Sequence, residues 1–352
     1  MSPAVPPPSG PFPVGRTARD LTDPSRTDPY AADPSEPRSL VLWIWYPAGP
    51  ASGPPADYLP APWQPAADML GIRVAGLASN SAADAAPADG TFPVLLLSPS
   101  GFPPLLLSGT AEELASHGFV VVGVNHTYET AVTVFPDGRV VPMNPAAIAG
   151  ALGPQVGAHE AVFEQRAAVC RYKAEDLAFV ADRLAALDPA DMFAGRLDLG
   201  RLAAAGHSFG GAAALQWCRD DSRCTAAVNL DGALWTEVGR DGLARPVLQV
   251  LAPHPEFDLA PDDAVAAGMA PDPAWYRAEK AITLDGWTTV ERTGRPARTV
   301  TIAGATHLSF MDIPFLPLAP DSPAAPMLAN TAIEPRDMLA RTTRLLLEFL
   351  NG

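Results

Sequence analysis

Short uninterrupted apolar runs alternate along this chain with stretches whose apolar residues recur at three- and four-residue spacing. The first pattern predicts strands buried on both faces, and the second predicts helices that cover them. Strands are expected at 39–46, 92–98, 119–125, 202–205, 226–230, 246–251 and 297–302. Helices are expected at 111–117, 161–187, 212–217 and 337–350. Pro136-Asp137-Gly138 sits between apolar pairs and signals a hairpin over 133–141. Residues 47–90 read as a long Pro/Ala-rich connection with one short helix near 66–70, and 143–157 as an insertion of surface-loop or flap type. Strands alternating with helices, without a repeat or a mid-chain linker, give an α/β chain whose mostly parallel sheet carries helices on both faces. Residues 1–37, dense in Pro, Asp and Ser, read as a partly disordered N-terminal extension, and 38–352 as one α/β domain.

One strand–helix junction carries chemistry. The run Leu202-Ala203-Ala204-Ala205 ends in Gly206-His207-Ser208-Phe209-Gly210-Gly211 and passes directly into the helical stretch from Ala212. Gly-x-Ser-x-Gly in that position places a serine on a sharp, strained turn. Gly206 and Gly210 have no Cβ, so strand and helix can close on each other. The Ser208 hydroxyl then stands at the positive end of the helix. A glycine-rich turn with an ordinary serine is the alternative; the flanking elements favour a nucleophile.

Composition narrows the partners. The 352-residue chain is 48% hydrophobic, ample for a sizeable core. Its net charge of -15 weighs against a nucleic-acid backbone or an anionic membrane surface. No window reaches the apolar length of a transmembrane segment. The first 15 residues lack the basic-then-apolar order of a secretory leader, so a cytoplasmic protein, or a secreted one with its leader removed, is expected. Of three cysteines, Cys218 and Cys224 are close enough to pair or to remain two thiols, while Cys170 falls on a helical core pattern. None stands in a Cys/His cluster of zinc spacing, so neither metal nor other cofactor is expected.

Ser208 needs a base, and the base needs an orienting acid. On such a sheet the chain order is Ser, acid, His, each following a strand. Of six histidines only His254 and His307 lie downstream of Ser208 at strand ends. His307 follows the last strand and the turn Ala303-Gly304-Ala305-Thr306, which makes it the expected base; His254 holds a place more often given to the acid. Asp231 and Asp258 compete as the acid. Asp231 is preferred, because a partly desolvated carboxylate at the end of an apolar strand holds an imidazolium well. The loop of Asp258, with Glu256, Asp262 and Asp263, is proline-interrupted and solvated. The oxyanion needs two backbone donors. Phe209 supplies one, and the loop after residues 92–98 the other; Pro99, Pro103 and Pro104 lack an N–H, and Phe102 after Gly101 is the choice. His126, Tyr128 and His207 are candidates for lining the pocket, with purely structural roles as the competing reading.

Gly206-His207-Ser208-Phe209-Gly210-Gly211, Leu230-Asp231 and Gly304-Ala305-Thr306-His307 resemble platelet-activating factor acetylhydrolase and its bacterial lipase and esterase relatives. Phe12-Pro13-Val14-Gly15, Trp45-Tyr46-Pro47 and Leu114-Ala115-Ser116-His117-Gly118-Phe119 extend the resemblance over most of the chain. It implies an α/β-hydrolase fold, a Ser208–Asp231–His307 triad, and calcium-independent, cofactor-free hydrolysis of a small or lipid-like carboxylic ester. It also implies an acid after the strand that follows the nucleophile helix, in favour of Asp231, and an oxyanion donor just after the Gly of Ser100-Gly101-Phe102. The family commonly has His-Gly there, whereas this chain has Ser100, followed by an apolar run from Phe102 to Leu107 that reads as pocket wall, interfacial patch or core. Acyl transfer or cyclisation by the same triad is a competing function. A non-catalytic binder would lack a triad member, and none is missing.

Overall fold

The computed structural model describes residues 2–50, 53–152 and 158–352. Its centre is a single sheet built from β1 (Val14–Thr27), β2 (Pro37–Pro47), β3 (Leu77–Ala83), β4 (Phe92–Ser98), β5 (Val120–His126), β6 (Leu197–His207), β7 (Cys224–Leu230), β8 (Val247–Leu251) and β9 (Ala297–Thr301). The spatial order is β3-β1-β2-β5-β4-β6-β7-β8-β9. From β5 to β9 every pairing is parallel, while β2 runs antiparallel to both β1 and β5.

The strand pleat explains the two cores. Along β2, Leu40, Leu42 and Ile44 project to one face while Val41, Trp43 and Trp45 project to the other. The second face is covered by α1 (Ser108–Ser116) and α5 (Pro335–Asn351), which bring in Leu114, Met338 and Leu345. The first is covered by α2 (His159–Ala185), α3 (Phe209–Asp220) and α4 (Pro273–Thr293), through residues such as Leu177, Trp217 and Val290. Helices close both sides of a sheet whose central strands are mostly apolar, the α/β-hydrolase arrangement. Cys218 and Cys224 form a disulfide, and Cys170 is a free thiol that burial pushes up to about 12.

Three expectations are corrected. Residues 1–37 are not an extension outside the domain: β1 pairs with β2 from Val14↔Pro47 to Asp23↔Arg38. The first dozen residues, expected to be disordered, are tied down as well, by Ala4 N–H to Ala78 O (2.8 Å), Phe12 N–H to Ser116 O (3.0 Å) and the Phe12–Phe92 ring contact. β1 is polar because β3 covers it only at Gly15 and Arg16; the rest of its outer side is a sheet edge, where Pro24 also does no harm. Inside the supposed 47–90 connection lies β3, written after Leu77 in Ala, Ser and Asn, without β-branched residues. Finally, α4 had no counterpart, since its buried stripe uses Trp275, Tyr276, Thr283, Gly286, Trp287 and Val290, weak helix formers selected by packing. The expected hairpin is present as Val132–Val134 with Val140–Pro142. Within the 143–157 insertion Pro145–Leu152 is helical, and 153–157 lie outside the described residues. Leu105, Leu106 and Leu107 are fully buried core, not an interfacial patch.

Candidate active site

Ser208 occupies the single residue between β6 and α3, with φ 57° and ψ -125°. The strain is enforced by contact. A Cβ on Gly206 would lie 2.1 Å from the Gly210 carbonyl oxygen, and one on Gly210 only 1.9 Å from that of Ser98. No side chain fits either place, so the elbow closes only with glycine at both. The Ser208 N–H donates to Leu230 O at 3.0 Å, which ties the elbow to the end of β7.

The next residue after β7 is Asp231, also at positive φ (58°) and almost wholly buried. Its carboxylate is gripped on both oxygens. Oδ2 is 2.7 Å from His307 Nδ1. Oδ1 accepts the Ala252 N–H at 2.8 Å and lies 3.0 Å from His254 Nε2. Burial alone would raise this carboxyl, yet the hydrogen bonds from His254 and His307 hold it well below the usual carboxylate range. His254 in turn places Nδ1 2.6 Å from Glu256 Oε1. Burial opposes a charge on His254, but its bonds to Asp231 and Glu256 outweigh that and raise it to about 9. The result is a string Glu256–His254–Asp231–His307. Sequence order alone left His254 unassigned; its signal was position, at the end of β8 next to the end of β7.

Other expected residues divide. His207 presses its ring on that of His307, with centroids 4.5 Å apart, and donates Nε2–H to the His307 carbonyl at 2.8 Å. Burial, aided by the proximity of His307, lowers His207 to about 3, so it stays a neutral brace. Phe209 opens α3, and its N–H is one of the first-turn donors that a helix leaves unpaired. The Phe102 N–H is already committed to Ser100 O at 2.7 Å. His126 does not line the pocket: fully buried, it joins Asp176 Oδ2 (2.8 Å) to Ser98 Oγ (2.9 Å). Tyr128 also turns away, its hydroxyl donating to Glu36 Oε1 at 3.3 Å. Among the described residues Asp258 makes no hydrogen bond or ion pair with either histidine of the string, although it borders a hollow that His254 also lines.

Ser208, Phe209 and His307 stand between two cavities. One is bordered by Phe102, Glu129, Lys173, Leu308 and Met327, the other by Arg166, Trp235, His254, Glu279 and Trp287. Glu129 and Lys173 escaped the sequence reading, since a turn glutamate and a mid-helix lysine carry no local pattern. Among the described residues no group of three or more His, Cys, Asp or Glu is placed to hold a metal ion, and no helix is long and apolar enough to cross a membrane.

Comparison with known proteins agrees with this geometry. Residues 185–352 match the family "Platelet-activating factor acetylhydrolase, isoform II". A probable 1-alkyl-2-acetylglycerophosphocholine esterase of Arthroderma benhamiae is 27% identical over 265 residues, 68% of this chain. The chain spans 61% of the length of that curated relative. A ferulic acid esterase from Streptomyces cinnamoneus superimposes with a TM-score of 0.75 at 30% identity, over 98% of this chain and 91% of the esterase. With the elbow, the sheet order and these likenesses in agreement, the chain belongs to the platelet-activating factor acetylhydrolase-like esterases of the α/β-hydrolase fold.

Proposed function

We propose that this protein is a serine carboxylic-ester hydrolase working through an acyl-enzyme, with Ser208 as nucleophile, His307 as base and Asp231 as orienting acid. The observation that carries the reading is the 2.7 Å bond from Asp231 to His307 Nδ1, on an imidazole that borders the same two cavities as Ser208. That bond leaves Nε2 as the ring nitrogen available to a hydroxyl. His307 Nε2 takes the Ser208 proton as Oγ bonds to the ester carbonyl carbon. The same proton then passes to the alcohol oxygen as its bond to carbon breaks. Water repeats the sequence on the acyl-enzyme, and Oγ recovers its proton. Charge on the carbonyl oxygen is held by the Phe209 amide and by the loop of Ser100, Gly101 and Phe102; Phe102 reaches it by exchanging its bond to Ser100. That both named relatives are esterases supports hydrolysis over acyl transfer. Ser208→Ala is expected to cut turnover of p-nitrophenyl butanoate by at least about 10³-fold at an unchanged melting temperature. A fluorophosphonate is expected to label Ser208 alone. Retained turnover in the alanine variant excludes the assignment.

A further inference from the structure

We infer that the acyl group carried to Ser208 bears a distal neutral hydroxyl, received between Lys173 and Glu129. This rests on the hydrolase reading above and names its substrate class. Lys173, on α2, and Glu129, in the turn after β5, are 1% and 3% exposed, and both border the cavity of Ser208 and Phe102. The Lys173 ammonium pairs with Glu129 Oε2 and, among the described residues, makes no further hydrogen bond. An ammonium has three N–H donors, so two remain to be satisfied. Glu129 Oε1 has Arg38 at 3.9 Å, outside hydrogen-bond range, and keeps accepting capacity as well. The rest of the wall, with Phe102, Phe209, Leu308 and Met327, is largely apolar.

Stability does not explain the pair, because a buried ion pair is commonly matched or exceeded by apolar residues of the same size. The backbone points to function instead. Tyr128, directly before Glu129, holds φ 70°, the same departure seen at Ser208 and Asp231. Such strain is kept where the surroundings fix a side chain for a task.

A donor and an acceptor side by side discriminate among ligand groups. A hydroxyl accepts from Lys173 and donates to Glu129, satisfying both. A methoxy group only accepts, and a hydrogen or methyl leaves the spare donors of Lys173 and the spare acceptor of Glu129 unsatisfied. A carboxylate gains Lys173 but meets the charge of Glu129. The acyl part is assigned to this cavity because it is the one bordered by both oxyanion loop and elbow, Phe102 and Phe209; the cavity of His254 and Trp287 is left to the alcohol.

The test compares kcat/KM for ethyl esters of 3-phenylpropanoic acid carrying hydrogen, hydroxyl, methoxy or carboxylate at the ring 4-position. The hydroxyl ester is expected to exceed the unsubstituted one by about tenfold or more, with methoxy between them and carboxylate lowest. In Lys173→Met/Glu129→Gln the hydroxyl-to-hydrogen ratio is expected to fall to within about twofold, in protein whose melting transition is intact. Equal rates on all four esters, a preference for the carboxylate, or a double variant that keeps the hydroxyl preference overturns the inference. The wild-type series decides it even where the double variant does not fold. Equal rates that vanish in Ser208→Ala leave the hydrolase reading standing, whereas rates that survive Ser208→Ala remove that reading itself.

Discussion

Four non-glycine residues hold positive φ among the described residues, and Ser208 and Asp231 are two of them. Each follows the carboxyl end of an adjacent strand, β6 and β7, so parallel pairing alone brings the proposed nucleophile and its proposed acid to one rim. Packing of backbone against backbone then fixes where the side chains start. Gly210→Ala is therefore expected to cost at least about 3 kcal/mol, read as a lowered denaturant midpoint, because its Cβ would meet the Ser98 carbonyl at 1.9 Å. An alanine variant as stable as the parent would mean that the elbow relaxes freely. Asp231→Asn tests a different property. The amide keeps the volume, but it removes the charge and must turn an N–H toward Ala252 or a histidine. Loss of kcat/KM on the order of 10³–10⁴-fold is expected, with KM changed far less than kcat. A loss confined to KM would point to substrate binding as the role of this residue.

At the scale of elements, what was legible in the sequence is what a strand buried on both faces must look like. β4, β5, β7 and β8 are predominantly apolar runs with only isolated polar residues such as Gln249 and Asn229, and their ends and the elbow between β6 and α3 lie close to where the sequence places them. The Ser, acid, His order followed from them. β1, β3 and α4 were not legible, for one shared reason: their residues are chosen by neighbours distant in sequence. β1 gains its place from β2, and α4 from cores under β8 and the ring of His254. The Glu129–Lys173 pair and the second histidine on Asp231 are likewise tertiary facts with no periodicity to announce them. β1 also provides the sharpest test at this scale. Deleting residues 2–27 strips β2 of its longest pairing and bares an edge carrying Trp43 and Trp45. The truncated chain is expected to aggregate on expression or refolding, judged by size-exclusion chromatography. A soluble monomer with the parent's melting temperature would restore the view of the N-terminus as an appendage.

For the molecule as a whole, pH dependence follows from where protons are held. Asp231 and Asp176 lie well below the usual range: burial would raise each, but the histidines on Asp231 and Arg38 with His126 on Asp176 more than offset it. Their stabilisation is complete above about 4 and is lost as pH falls through the depressed values. His254 works in the opposite sense. Its folded value of about 9 exceeds the unfolded value near 6.5, so the folded chain holds an extra proton between them. That contribution is full below about 6.5 and disappears as pH rises through 9. Asp312, buried beneath Tyr58 and pushed up to about 8 despite the Tyr58 and Gly109 bonds, adds a second decline between about 4 and 8. Repulsion within a chain of net charge -15 and pI near 4.7 acts the same way, since it grows with pH. His207 and His126 oppose that decline: burial lowers both, so below about 6.5 the unfolded chain binds more protons than the folded one and stability rises with pH up to there. Stability against urea is therefore expected to peak near pH 6.5, once these histidines have lost their protons in the unfolded chain, and to fall steadily toward pH 9. Two variants separate the causes. His254→Gln keeps a donor for Asp231 but has no proton to lose, so its curve is expected to run flatter than the parent's only between about 6.5 and 9. Asp312→Asn is expected to remove its decline only between about 4 and 8, so its curve climbs more steeply than the parent's below about 6.5 and falls less steeply from there to 8. A His254→Gln curve parallel to the parent's across the upper window would mean that the imidazole between Asp231 and Glu256 is neutral, and the charged string beside Ser208 would then reduce to a single Asp231–His307 pair.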